Sequence, residues 1–170
     1  MQQNPFVLNA VDSIANQILF ELRDRQTQLD RVRFRNNLKK LGELIAYEIS
    51  KSLSYKTEEV KTVLGRSSIN VLSNHPVLIT IMRAGLPFME GFQHFFGNSD
   101  CGFVGAQRIE KGEHLEALVE YVAVGHIEGK ELIIADPMLA TGKSLIAALD
   151  MILQKGIPKS VHLAFAIAAP

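Results

Sequence analysis

The chain has 170 residues, which suits one globular domain and is enough to bury about 70% of the surface an unfolded chain exposes. Hydrophobic residues make up 47% and charged residues 21%, and eighteen Lys plus Arg offset eighteen Asp plus Glu, which excludes disorder and an overall basic field for gripping nucleic acid. The single cysteine, Cys101, excludes an internal disulfide framework and a cysteine-built zinc site, and no apolar stretch approaches the ~20 residues a bilayer needs. Met1 to Phe6 has neither the basic flank nor the apolar core of a secretion signal. The expectation is a cytoplasmic protein with no membrane and no nucleic-acid partner.

Taken in chain order, Leu8, Val11, Ile14, Ile18 and Leu22 recur at three- and four-residue spacing and predict a helix with one apolar stripe. A second helix is predicted from Asp30 as N-cap, carrying Leu38, Leu41, Ile45 and Ile49 on one side. Thr57 to Leu64 alternates threonine and valine with charge and stops at Gly65, the pattern of an edge strand exposed on one face. From Val77 the pattern changes. Val77 to Met82 is a buried strand, Arg83-Ala84-Gly85 a loop, and Pro87 to about Phe96 a helix. Cys101 to Ala106, Ala117 to Val124, Glu131 to Ala135 and Val161 to Ala168 follow as strands. A helix from Ser144 to Gln154 precedes the last of them.

Nearly all-apolar strands alternating with helices imply an α/β protein with a mostly parallel sheet covered on both faces. Ligands of such sheets bind beyond the carboxyl ends of the strands. The loops to inspect are therefore Arg83 to Gly85, Gln107 to Lys111, and Asp136 to Ser144. A basic run from Arg23 to Lys40 and an acidic run from Glu110 to Glu131 stand out. The first reads as a solvated helix face, or else as an anion or RNA surface.

The stretch Leu132 to Ser144, LIIADPMLATGKS, carries the most chemistry. A buried strand runs to the acid Asp136, and small residues Ala140, Thr141 and Gly142 then lead into a helix. Small side chains let backbone N–H groups converge on an anion, and the helix N-terminus adds a favourable dipole. Thr141 and Ser144 add hydroxyl donors, and hydrogen bonds to a charged group contribute about 1.5–3 kcal/mol each. Asp136 is placed to accept from sugar hydroxyls, or to cap the next helix. Gly142-Lys143-Ser144 also resembles the end of a P-loop, but the glycine that motif needs five residues earlier is Pro137.

ADPMLATG resembles the phosphoribosyl-diphosphate (PRPP) loop of the type I phosphoribosyltransferases, in the Asp-Pro form of the uracil phosphoribosyltransferases. Three other stretches resemble the same family: MRAGLPFMEG from Met82 to Gly91, GFVGAQR from Gly102 to Arg108, and RFRNNLKKLGELIAYEIS from Arg33 to Ser50. The resemblance implies a single type I phosphoribosyltransferase domain over residues 1–170. It has a helical N-terminal region (1–56), an edge strand or hairpin, and a PRPP-binding core (77–170). It implies formation of UMP and diphosphate from uracil and PRPP, with magnesium arriving on PRPP and a homodimer or higher homo-oligomer as the assembly.

By the same resemblance, Arg83 with Ala84 and Gly85 would hold the pyrophosphate, and Arg108 would approach it from a neighbouring loop. Asp136 would hold the ribose hydroxyls, with Pro137 beside it. Met138, Leu139, Ala140, Thr141, Gly142, Lys143 and Ser144 would wrap the 5′-phosphate. Lys143 either strengthens that anion site or points to solvent. The family reads uracil with a further segment that follows the last strand, so no residue up to Pro170 is assigned to the base. Two other functions fit less of the pattern: a PRPP-fold regulator of pyrimidine-operon RNA, and a noncatalytic PRPP-binding form.

Other candidates read as ordinary. The five histidines show no HxH or HxxxH spacing, so His114 and His126 are expected in solvated loops. His94 is expected on a helix surface or in a satisfied half-buried site. Cys101 is expected as a small core residue, and Ser67-Ser68 in a loop. Arg83, before Ala-Gly, could instead cap a helix.

Overall fold

The structure, a computed structural model, describes residues 5–111 and 114–169, with the side chains of residues 107–118 outside that description. Two helices lead, α1 (Ile14–Arg23) and α2 (Arg31–Ser50). Asp30 caps α2, its Oδ1 accepting the N–H groups of Val32 and Arg33 at 3.1 and 3.0 Å. The first helix is shorter than its apolar stripe predicts. Ser13 caps it, while Leu8 lies in a preceding 3-10 turn and Val11 stands 75% exposed.

An antiparallel hairpin follows, β1 (Tyr55–Thr62) and β2 (Gly65–Leu72), turning at Val63 and Leu64 and forming a sheet of its own. The single strand expected over Thr57 to Leu64 is thus corrected to the first arm of a hairpin, and Ser67-Ser68 lies in β2, not in a loop. The reason is that every residue of β1 is exposed, so no buried face imposes the alternation that would register a second strand.

The main sheet holds five strands in the order β5-β4-β3-β6-β7: β3 (Val77–Met82), β4 (Cys101–Lys111), β5 (His114–Ala123), β6 (Glu131–Leu139) and β7 (Ser160–Ala168). Neighbours pair in parallel except β4 with β5, which form a long antiparallel hairpin. Residues 107–111, expected as a loop, therefore belong to β4, and β5 begins before Ala117. The last two helices are α3 (Leu86–Phe95) and α4 (Lys143–Leu153).

Both faces of the central strands β3 and β6 are buried, as their apolar sequences require. On one face, Leu78 of β3 and Ile133 and Ala135 of β6 pack with Ile18, Leu22, Leu38, Leu41, Phe88 and Phe92 of α1, α2 and α3. On the other, Val77, Ile79, Leu132 and Ile134 pack with Leu145, Ala148 and Ile152 of α4. Cys101 departs from its expected core position: it opens β4, is exposed, and lies 3.2 Å from Gln93 Nε2. His94 lies on the surface of α3, with Nδ1 3.0 Å from Glu43 Oε1.

At the sheet's amino end Glu131 is only 8% exposed. Ser54 Oγ donates to it at 2.9 Å and Lys159 Nζ at 3.3 Å, anchoring the root of the hairpin to β6 and β7. Burial pulls the Glu131 carboxyl upward, but the hydrogen bonds from Ser54 and Lys159 outweigh it and hold its pKa below the ordinary value.

Candidate functional site

Strand order reverses between β3 and β6. The chain runs from β3 outward to β4 and β5, then returns to β6 on the other side of β3 and continues outward to β7. Loops leaving the carboxyl ends of two such strands diverge and leave a crevice between them, where α/β sheets bind ligands. A cavity of about 380 Å³ occupies that crevice, within the range of small-molecule sites.

The β3 side supplies Ile81, Met82, Arg83 and Ala84. Arg83 and Ala84 are exposed, whereas Gly85 is buried beneath them as the N-cap of α3. The Met82–Arg83 peptide is cis. Because Gly85 takes the cap position, Arg83 does not cap α3; it lines the cavity instead. Gly85 has ordinary helical backbone angles, φ −72° and ψ −17°, so space and not conformation requires glycine there. A Cβ would collide with Thr80 Oγ1 and lie 2.8 Å from the Ile81 carbonyl oxygen.

The β6 side supplies every residue from Asp136 to Leu145. The expected loop over Asp136 to Ser144 is shorter than the sequence suggests, because β6 continues to Leu139 and α4 begins at Lys143. Asp136, Met138 and Leu139 pair with Phe165, Ile167 and Ala168 of β7, and Pro137, which has no N–H to donate, is passed over. Only Ala140, Thr141 and Gly142 separate β6 from α4. Gly142 caps α4 with φ +73°, a conformation that would strain any residue with a side chain. Asp136 is therefore a half-buried strand residue at the cavity, not a helix cap. The first-turn N–H groups of α4, those of Lys143, Ser144 and Leu145, have no carbonyl partner within the helix.

These elements line the cavity with a guanidinium from the β3 side, and with a carboxylate and a helix N-terminus from the β6 side. Arg83, Ala84 and the whole of Asp136–Ser144 share one cavity, and Gly85 supports it from below. Arg108 lies in β4, its side chain outside the described residues, as is that of His114.

A third wall was not identifiable as such from sequence. Leu22 of α1, Phe34 and Leu38 of α2, and Ala166 and Ile167 of β7 close the cavity on an apolar side. Leu22 and Leu38 do stand out in the apolar stripes. An apolar stripe looks the same, however, whether it faces a core or lines a cleft.

The family model for uracil phosphoribosyltransferase matches residues 12–170. The chain belongs to the uracil phosphoribosyltransferase family. It is 44% identical over 163 residues to the uracil phosphoribosyltransferase of Porphyromonas gingivalis, an alignment covering 95% of this chain and 76% of that relative. A solved structure of a protein from Aquifex aeolicus superposes with a TM-score of 0.84 at 35% identity, covering 94% of this chain and 75% of that one. A hypoxanthine phosphoribosyltransferase from Staphylococcus aureus, 13% identical, shares the fold with a TM-score of 0.58 over 80% of this chain and 65% of that one. The uracil phosphoribosyltransferase family thus brings with it the type I phosphoribosyltransferase fold, and the five-stranded sheet with helices on both faces matches it.

Among the described residues no helix is long and apolar enough to cross a membrane, and no group of three or more His, Cys, Asp or Glu could cage a metal ion. Among the described residues lining the cavity, Asp136 is the one carboxylate. That donor set fits magnesium carried in by substrate phosphates and water, the arrangement this hard, reluctantly dehydrated ion favours.

Proposed function

We propose that the protein is a cytoplasmic enzyme of pyrimidine salvage that transfers the phosphoribosyl group of PRPP to uracil, giving UMP and diphosphate, and that the whole chain acts as one domain with its PRPP-binding core in residues 77–170. The observation that carries this reading is one cavity lined by the Arg83 guanidinium, the Asp136 carboxylate and the N-terminus of α4. PRPP has the complementary form: a 5′-phosphate at one end, a diphosphate at the other, and ribose hydroxyls between.

In this reading the N-terminus of α4, with the hydroxyls of Thr141 and Ser144 and the ammonium of Lys143, holds the 5′-phosphate. Leu139, Ala140 and Gly142 bring backbone close to it. Asp136 accepts hydrogen bonds from the ribose hydroxyls, flanked by Pro137 and Met138. Arg83, with the backbone of Ala84, faces the diphosphate, while the buried Gly85 supports that loop from beneath, and the family resemblance gives Arg108, a residue of β4, to the same group. The base nitrogen N1 of uracil forms the new bond to ribose C1, the bond from C1 to the diphosphate oxygen breaks, and the N1 proton is released. The sugar is cation-like while the leaving group gathers charge. Fixed cations aimed at that group lower the barrier, because they favour the transition state over the ground state. Magnesium bound to PRPP supplies charge neutralisation at the diphosphate.

A second copy of the chain is the partner we infer by family resemblance. Supporting it, the hairpin projects Val63 and Leu64 at 103% and 98% exposure, with Val60 and Ile69 also exposed along its arms. Calorimetric titration with PRPP and magnesium tests the core of the reading. Saturable one-site binding, weakened at least tenfold by Arg83→Ala, is expected. An absence of PRPP binding by the folded protein would overturn it.

A further inference from the structure

Strand β3 is apolar from Val77 to Met82 except for Thr80, which is fully buried. A hydroxyl in such a place is costly unless it is hydrogen-bonded, and valine or isoleucine would fill the same space. Thr80 Oγ1 donates to the carbonyl oxygen of Ala135 on the neighbouring strand at 2.6 Å. That carbonyl belongs to the peptide plane joining Ala135 to Asp136. Because the peptide is rigid, fixing its oxygen also fixes the backbone from which the Asp136 side chain departs. The same hydroxyl lies directly under Gly85, close enough that a Cβ there would collide with it. One side chain therefore touches the support of both substrate loops, Arg83 to Gly85 on one side and Asp136 on the other.

We infer that Thr80 is a positioning residue for phosphoribosyl transfer. It acts through the Ala135–Asp136 peptide and Gly85 and sets the spacing between the ribose end and the diphosphate end of the cavity; this rests on the PRPP reading of that cavity. Thr80 touches no substrate. Its contribution is geometric, and displacement of a reacting group by about 1 Å can cost ~100-fold in rate.

The test compares Thr80→Val, which keeps the shape and loses the hydroxyl, with Thr80→Ser, which keeps the hydroxyl and loses a methyl group. Turnover of uracil with PRPP and magnesium is followed at saturating substrate, together with both KM values and thermal unfolding. The expected result is kcat reduced roughly 10- to 100-fold in Thr80→Val, a smaller change in KM for PRPP, and kcat within about threefold of the parent in Thr80→Ser. A role in packing alone would instead lower stability in both variants and leave kcat of the folded fraction unchanged. Equal kcat losses in the two variants, or a Thr80→Val kcat within threefold of the parent, would overturn the inference. If the parent binds PRPP without turning over uracil, the same ranking is read from PRPP affinity: a loss of about threefold or more in Thr80→Val with parent-like affinity in Thr80→Ser supports the inference, and equal affinities in the two variants overturn it. If the parent neither turns over uracil nor binds PRPP, the functional reading falls first and this inference with it.

Discussion

Replacing Gly85 by alanine separates a steric effect from a conformational one. The backbone of Gly85 is already helical, so alanine adopts its angles without strain. The added methyl group has nowhere to go: it meets Thr80 Oγ1, sits 2.8 Å from the Ile81 carbonyl oxygen and 3.3 Å from Thr80 Cβ. Neither neighbour can yield cheaply. Thr80 is held by its bond to Ala135, and the Ile81 carbonyl is backbone that accepts the Gly85 N–H at 3.2 Å. Clearing the Ile81 carbonyl alone requires a shift of roughly 0.6–1 Å, and clearing the closer Thr80 Oγ1 requires more, which moves Arg83 and Ala84 relative to Asp136. Overpacking of this kind costs about 1–3 kcal/mol, or roughly 2–12 °C in thermal midpoint for a chain of this size. Displacement of the diphosphate loop should reduce kcat by a further ~100-fold in the fraction that remains folded. Thermal unfolding and steady-state UMP formation, measured on the same sample, read the two effects separately. Parent-like kcat with an unchanged midpoint would refute the steric reasoning.

Three further outcomes are expected. Asp136→Asn should lower turnover by roughly 10²–10³-fold while leaving the thermal midpoint near that of the parent; near-normal turnover removes Asp136 from its assigned role. Arg108→Ala should weaken the use of PRPP through lost charge stabilisation at the diphosphate, and unchanged kinetics would take Arg108 out of the site. The third concerns Glu131, whose folded-state pKa lies below its ordinary value of 4.5. Its carboxylate therefore stabilises the fold above about pH 4.5, and that contribution fades as pH falls through the lowered value. Glu131→Gln should be less stable than the parent at pH 7, with the gap narrowing as the pH is taken below 4.5. A gap of constant size across that window, measured by urea unfolding, would argue against the sign of the shift.

Much of the core was legible because buried strands and helices carry strong periodic signals. The expected β3 boundaries coincide with the observed ones, and Asp30 caps α2 as its side chain predicts. The Asp136–Ser144 segment was legible because small residues between an apolar strand and a helix have few other uses. The hairpin was only half legible: with no buried face, nothing in its pattern distinguishes strand from turn beyond Gly65. The extent of β6 past Asp136 was hidden, because it depends on how far β7 runs beside it. Leu22, Phe34 and Leu38 form the cavity's apolar wall, yet their spacing is that of any core-facing helix. Thr80 reads in sequence as one polar residue in an apolar strand, and only the pairing of β3 with β6 brings it under both loops.

The most direct measurement is UMP formation by the purified protein from PRPP, magnesium and uracil, with cytosine, hypoxanthine and orotate assayed in parallel. Turnover selective for uracil, releasing one diphosphate per UMP, is the expected result. A preference for another base would contradict the assigned substrate, and a folded protein that neither turns over any base nor binds PRPP would contradict the assignment of the cavity itself.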